Sequence, residues 1–215
     1  MIKVAIFDLD GTLLDTLEDL ANACNYALKS CEFKVHPIEE YKRFVGNGRY
    51  KLIERIVPEE YKENTEVINK VLGLFDQYYA KHMLDMTKPY NGIYNMLDKL
   101  KEKGIKLAVV SNKPHEFVGD IVKKYFNNSF EIAYGQRPNY PTKPDPNTVY
   151  EVIEDFNVKL EECIYIGDSD VDINTARNAK VKSIGVAWGF RGAGELKEAG
   201  ADYIAYEADD IIKLI

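Results

Sequence analysis

Val4-Ala5-Ile6-Phe7 is an unbroken apolar run that stops at Asp8-Leu9-Asp10-Gly11-Thr12. A strand with one wet face alternates polar and apolar residues, so a continuous run with β-branched and aromatic members implies a strand covered on both faces, as in a parallel sheet between helices. Ligand sites in such sheets lie off the carboxyl ends of the strands. Asp8 and Asp10 stand at such an end. Gly11 lets the backbone turn close to a ligand, and the amides of Gly11 and Thr12 can cradle an anion. A solvated acidic turn is the plainer reading of the same residues.

The rest of the chain changes periodicity twice. After Thr16, a plausible N-cap, the residues Leu17, Leu20, Ala21, Cys24, Ala27 and Leu28 recur at helical spacing, with Asp19 in the first turn. Further helical segments are expected over 38–45, 50–57 and 61–84, with no strand between them. Helix breakers at Lys88-Pro89-Tyr90-Asn91-Gly92 mark a hinge. Strands are then expected over 105–110, 132–134, 163–166, 182–186 and 202–204, alternating with helices. The predicted fold is α/β, a Rossmann-like doubly wound parallel sheet with an inserted helical cap. Residues 1–14 and 88–215 would form the core and 15–87 the cap.

Composition narrows the class. A chain of 215 residues with 46% hydrophobic content can bury a substantial core. Its net charge of -7, with 28 scattered Lys and Arg, argues against nucleic acid as a general partner. Cys24, Cys31 and Cys163 form no metal-type pair and read as reduced packing residues. No basic leader precedes the first strand and no segment approaches membrane-spanning length, so a soluble cytoplasmic protein without a membrane partner is expected, as monomer or homodimer. His36, His82 and His115 do not cluster, and the fifteen tyrosines read as amphipathic filler.

Reactive residues appear three more times, after two apolar runs and at one helix start. Leu107 to Val110 leads into Ser111-Asn112-Lys113, Thr142-Lys143-Pro144 opens a helix, and Ile164 to Ile166 ends in Gly167-Asp168-Ser169-Asp170-Val171-Asp172. Phosphoryl transfer needs these types together. Asp8 suits a carboxylate nucleophile that takes up the phosphoryl group. Asp8 and Asp168, with the backbone carbonyl of Asp10, offer hard oxygen ligands for Mg²⁺. Ser111 and Asn112 supply polar contacts to the phosphate group, and Lys143 supplies positive charge. Asp10 would act as general acid and base. Asp172, with Ser169 beside it, would hold Lys143 or join the outer metal shell.

This ordered set resembles the haloacid dehalogenase superfamily. Asp8-x-Asp10-Gly11-Thr12 is similar to its first motif, Ser111 to its second, Lys143-Pro144 to its third and Gly167-Asp168-x-x-x-Asp172 to its fourth. The resemblance implies Mg²⁺ dependence, an aspartyl-phosphate intermediate and a cap that closes over the site. Asp10 implies phosphatase or phosphotransferase chemistry, since the dehalogenases of the superfamily carry Tyr there and its phosphonate hydrolases Ala.

Val45-Gly46-Asn47-Gly48-Arg49 resembles the substrate loop of phosphoglycolate phosphatases, and the run Ile184 to Gly192 resembles that group's C-terminal run. Asn47, Gly48 and Arg49 would then bind a small phosphate ester. A plain inter-helix loop is the competing reading. A β-phosphoglucomutase-like phosphotransferase, a pyrophosphatase, or a phosphate-binding regulatory protein without catalysis are the other functional readings. Arg137, in the loop before Lys143, reads as surface.

Overall fold

The computed structural model describes all residues, Met1–Ile215. Strand β1 (Val4–Phe7) is fully buried along its length. It lies between β4 (Lys106–Pro114) and β6 (Cys163–Gly167), and the sheet order is β5-β4-β1-β6-β7-β8, with β5 at Ile132–Gln136, β7 at Lys182–Val186 and β8 at Tyr203–Ala205. Every pairing in it is parallel. The chain fills one side of β1 with β4 and β5, then returns to β6 on the other, so the switch point of the sheet falls at the carboxyl ends of β1 and β6.

Alternate residues of β1 face opposite layers. Val4 and Ile6 pack with Val149, Val152 and Ala176 from helices α7 (Asn147–Phe156) and α8 (Asp170–Ala179). Ala5 and Phe7 join the larger cluster with α5 (Ile93–Glu102), α6 (His115–Phe126) and α10 (Ala208–Leu214). Full burial of each large apolar side chain contributes about 1.5–3 kcal/mol. This double coverage is why the run carries no polar residue.

Past Gly11 the chain passes through β2 (Leu14–Asp15), which pairs antiparallel with β3 (Lys88–Pro89). Between them lie α1 (Leu17–Ser30), α2 (Tyr41–Phe44), α3 (Arg49–Ile56) and α4 (Thr65–His82). The chain thus leaves and re-enters the sheet layer at one two-stranded gate. The expected helix over 61–84 begins later, at Thr65, because Asn64 accepts from the amides of Glu66 and Val67. The long helices α1 and α4 pack together, with Tyr26 stacked on Tyr78 at 4.5 Å. The larger apolar cluster is continuous from β1 through these helices.

One local expectation needs correction, and Asp19, in the first turn of α1 as expected, has a further role. Thr16 precedes α1, but its hydroxyl is buried without a partner and makes no cap bond. Asp19 is a gate anchor. Buried in α1, it accepts from the amides of Met86 (3.0 and 3.1 Å) and Thr87 (2.8 Å) and from the Thr87 hydroxyl (2.7 Å). An Asp19→Ala variant leaves these donors without an acceptor, so it should lose about 3 kcal/mol in urea unfolding. A loss below about 1 kcal/mol would remove Asp19 from this role.

Candidate active site

The turn after β1 is set by backbone geometry. The Asp8 amide donates to Ile166 carbonyl at 2.9 Å, extending the β1–β6 ladder and placing Asp8 beside the end of β6. Gly11 adopts φ +85°, and a Cβ there would lie 2.3 Å from Asp168 Oδ2. Only glycine fits. The Leu9 carbonyl accepts from Thr12, Leu13 and Leu14, closing the loop, and Trp188 Nε1 donates to the Thr12 carbonyl at 3.0 Å. The segment after β7 thus buttresses the turn from outside.

Four buried groups meet around Asp8. Lys143 Nζ lies 2.7 Å from Asp172 Oδ1 and 2.8 Å from Asp8 Oδ1. The second contact is an ion pair, and the Lys143 ammonium is the only donor facing Asp8 Oδ1. The other oxygen of Asp172 accepts from Ser169 N at 3.1 Å and Ser169 Oγ at 2.6 Å. Asp172 therefore holds Lys143, and Ser169 holds Asp172. Burial opposes the charge on Lys143, but Asp172 and Asp8 outweigh it and keep the ammonium well above its ordinary range. Burial pushes the Asp8 carboxyl up to about 7, against the attraction of Lys143. Asp168 is also raised, by burial and by Asp172 and Asp8, while Phe190 N donates to it at 2.7 Å.

Asp10 faces the other way. Both its oxygens lie 3.0 Å from Lys113 Nζ, whose side chain is 3% exposed. Burial works against the Lys113 charge, but Asp10 outweighs it and raises the ammonium above its usual range. Lys113 has no role in the sequence reading, because the chain beyond Val110 reads as a loop there. Instead β4 runs on to Pro114 with an irregular register after Val110. Residues two apart in extended chain share a side. Ser111 and Lys113 accordingly both line the cavity over Asp8 and Asp10.

The cap loop closes that cavity. Gly46, Gly48 and Arg49 line it, with Leu52 from α3 and Phe75 and Tyr79 from α4. The cavity is small, about 50 Å³. Arg49 reaches it while its Nη1 donates to Asp76 at 2.7 Å. Asn47 does not line it: its Oδ1 accepts from Arg55 at 2.7 Å, and it borders a separate polar cleft. Asn112 Nδ2 donates to the carbonyls of Gly46 (3.0 Å) and Lys143 (3.1 Å), and its Oδ1 accepts from Lys143 N at 2.8 Å. Its polar atoms thus tie the cap loop to the lysine loop. Arg137 pairs with Glu151 and packs on Tyr134 and Tyr140, and His115 Nδ1 accepts from the Gly135 amide.

The residues fit a hard cation. Oxygens of Asp8, Asp168 and Asp172 lie within 4.8 Å of one another, all buried, and no donor other than the Lys143 ammonium faces Asp8 Oδ1. Asp172 is already committed to Lys143 and Ser169, which leaves Asp8 and Asp168 as the available carboxylates. The Asp10 carboxylate is engaged with Lys113 and lies outside this cluster.

The sequence profile of the family described as haloacid dehalogenase-like hydrolase matches residues 5–186. The chain belongs to that family, in its phosphoglycolate phosphatase-like branch. Among its relatives are the phosphoglycolate phosphatase of Aquifex aeolicus, 30% identical over all of this chain and 97% of its own length, and that of Psychrobacter arcticus, 33% identical over 91% and 88%. A crystal structure from Lactobacillus delbrueckii subsp. bulgaricus, provisionally described as a phosphoglycolate phosphatase, superposes with a TM-score of 0.93 at 38% identity, covering 99% of this chain and 98% of its own.

Proposed function

We propose that the protein is a Mg²⁺-dependent phosphatase that hydrolyses a small, phosphoglycolate-like phosphomonoester through an aspartyl phosphate on Asp8. The observation that carries this reading is the opposition of two carboxylates in one small cavity, Asp8 beside Lys143 and Asp10 on Lys113. Two carboxylates in such different surroundings suit different roles.

An Asp8 oxygen attacks phosphorus, and the bond from phosphorus to the ester oxygen breaks as Asp10 gives that oxygen a proton. Asp10 then takes a proton from water as the water attacks the acyl phosphate, which releases phosphate and restores both carboxyl groups. Lys143, held by Asp172, balances charge on the phosphoryl oxygens, and the Ser111 hydroxyl can donate to one of them. Asp8 and Asp168 would hold Mg²⁺, which would supply Lewis acidity and offset repulsion between nucleophile and phosphate. The cap loop and α4 exclude water.

The small cavity favours a short leaving group over a sugar or nucleoside. A panel of 2-phosphoglycolate, pyrophosphate, β-glucose 1-phosphate and nucleoside monophosphates tests this. The highest kcat/KM is expected for 2-phosphoglycolate, with activity lost in EDTA and restored by Mg²⁺. A clear preference for pyrophosphate or β-glucose 1-phosphate would replace the substrate assignment. Full turnover in EDTA would remove the metal from the mechanism.

A further inference from the structure

On its cap side the cavity is lined by Leu20, Leu52 and Phe75, and by Arg49, whose guanidinium is already bound to Asp76. Tyr79 of α4 is different. It lines the cavity, is 1% exposed, and its hydroxyl proton has no acceptor, the Lys113 ammonium beside it being itself a donor. An O–H so placed gives up its hydrogen bond to water and donates none in the protein. Nor is its ring free to turn away, because it stacks on Phe75 at 5.3 Å and meets Phe117 edge-on at 5.6 Å. Burial holds the phenol up at about 12, so at neutral pH the hydroxyl keeps its proton and is a donor.

Lys113 Nζ sits 4.8 Å from the centre of the same ring. The only carboxylate bonded to it is Asp10. An unmatched donor and a buried cation therefore stand together next to the group that must reach the ester oxygen. That is where the first carbons of a leaving alcohol would lie.

We propose that the Tyr79 hydroxyl, with Lys113, binds a carboxylate carried by the leaving alcohol, so that Tyr79 selects phosphate esters of short hydroxy acids. This inference rests on the phosphatase reading above. A carboxylate gives the hydroxyl an acceptor and forms a charge-assisted contact with the ammonium. An uncharged group of the same length supplies less to both, and a site built for a hydrogen bond discriminates against a ligand that leaves it unmade.

Tyr79→Phe keeps the ring and its stacking, and two esters of equal length separate the outcomes: 2-phosphoglycolate, and 2-hydroxyethyl phosphate, which replaces the carboxylate by CH₂OH. Wild type should prefer the first in kcat/KM by at least about tenfold. Tyr79→Phe should lose about tenfold on 2-phosphoglycolate and much less on the hydroxyethyl ester, so that the preference collapses. Glycolate should inhibit wild-type hydrolysis of the hydroxyethyl ester, with a Ki that rises by a similar factor in the variant. Equal losses on both esters would overturn the assignment, making the hydroxyl structural. No loss on either would overturn it as well, with water as the hydroxyl's partner. A wild type that handles the hydroxyethyl ester as well as 2-phosphoglycolate would sink the carboxylate inference and leave the phosphatase standing. Inactivity on both esters and on p-nitrophenyl phosphate would bring down the phosphatase reading, and this inference with it.

Discussion

Asp8→Asn should abolish turnover, by roughly 10⁴-fold or more, while raising the stability of the metal-free protein at alkaline pH. The first half follows from the nucleophile, since an amide cannot accept the phosphoryl group and regenerate by hydrolysis of an acyl phosphate. The second half follows from burial. Asp8 has its carboxyl raised from 3.8 to about 7, so between about pH 4 and pH 7 the native state binds more protons at this group than the unfolded chain does. Native stability therefore falls through that window as pH rises, and stays lowered above it. Asn has the same shape and no charge to bury. If roughly 2 kcal/mol is relieved, the melting midpoint at pH 8 in chelator should rise by about 4–8 °C. The backbone contact from Asp8 to Ile166 is unaffected by the change. Near-normal kcat would refute the nucleophile. A lower midpoint at pH 8 would mean that attraction to Lys143 outweighs burial.

The fold was legible because its strongest signals are hydrophobic. A four-residue run without a polar member can only be covered on both sides, and β1 is so covered. Asp8, Lys143, Asp168 and Asp172 could be read because each follows or opens an element whose period is clear, and the structure brings all four together. The roles of Asn112 and Asn47 were less legible, since an amide gives no directional signal in sequence. Both make internal bonds in the structure, Asn112 to the cap and lysine loops and Asn47 to Arg55. Lys113 was hidden by strand length. Once β4 is seen to continue past Val110, the two-residue period sets it beside Ser111. Tyr79 was hidden by abundance, as one tyrosine among fifteen, on a helix whose buried face needs aromatics anyway.

Lys113→Met should cost about 10²–10⁴-fold in turnover of alkyl phosphate esters, a loss comparable to removing the general acid itself. Lys113 makes the only ion pair to Asp10, with both partners largely buried, so Met leaves the carboxylate without a counter-charge and without the contact that aims it. Met preserves the length and apolar stem of the side chain against Tyr79, which limits the change to the ammonium. Breaking a buried pair by removing one partner costs about 3–5 kcal/mol when the survivor stays charged, so urea unfolding should register a loss below that ceiling. The decisive measurement is the dependence on leaving group. In the proposed mechanism release of an alkoxide needs a proton from Asp10, whereas p-nitrophenolate departs with little help. Lys113→Met should therefore be far slower on 2-hydroxyethyl phosphate, an alkyl ester without a carboxylate, and only moderately slower on p-nitrophenyl phosphate, with phosphoryl transfer to Asp8 still supported by Lys143 and Asp172. Equal losses on the two esters would show that Lys113 serves folding or phosphate binding, and would separate it from Asp10 as a positioning residue.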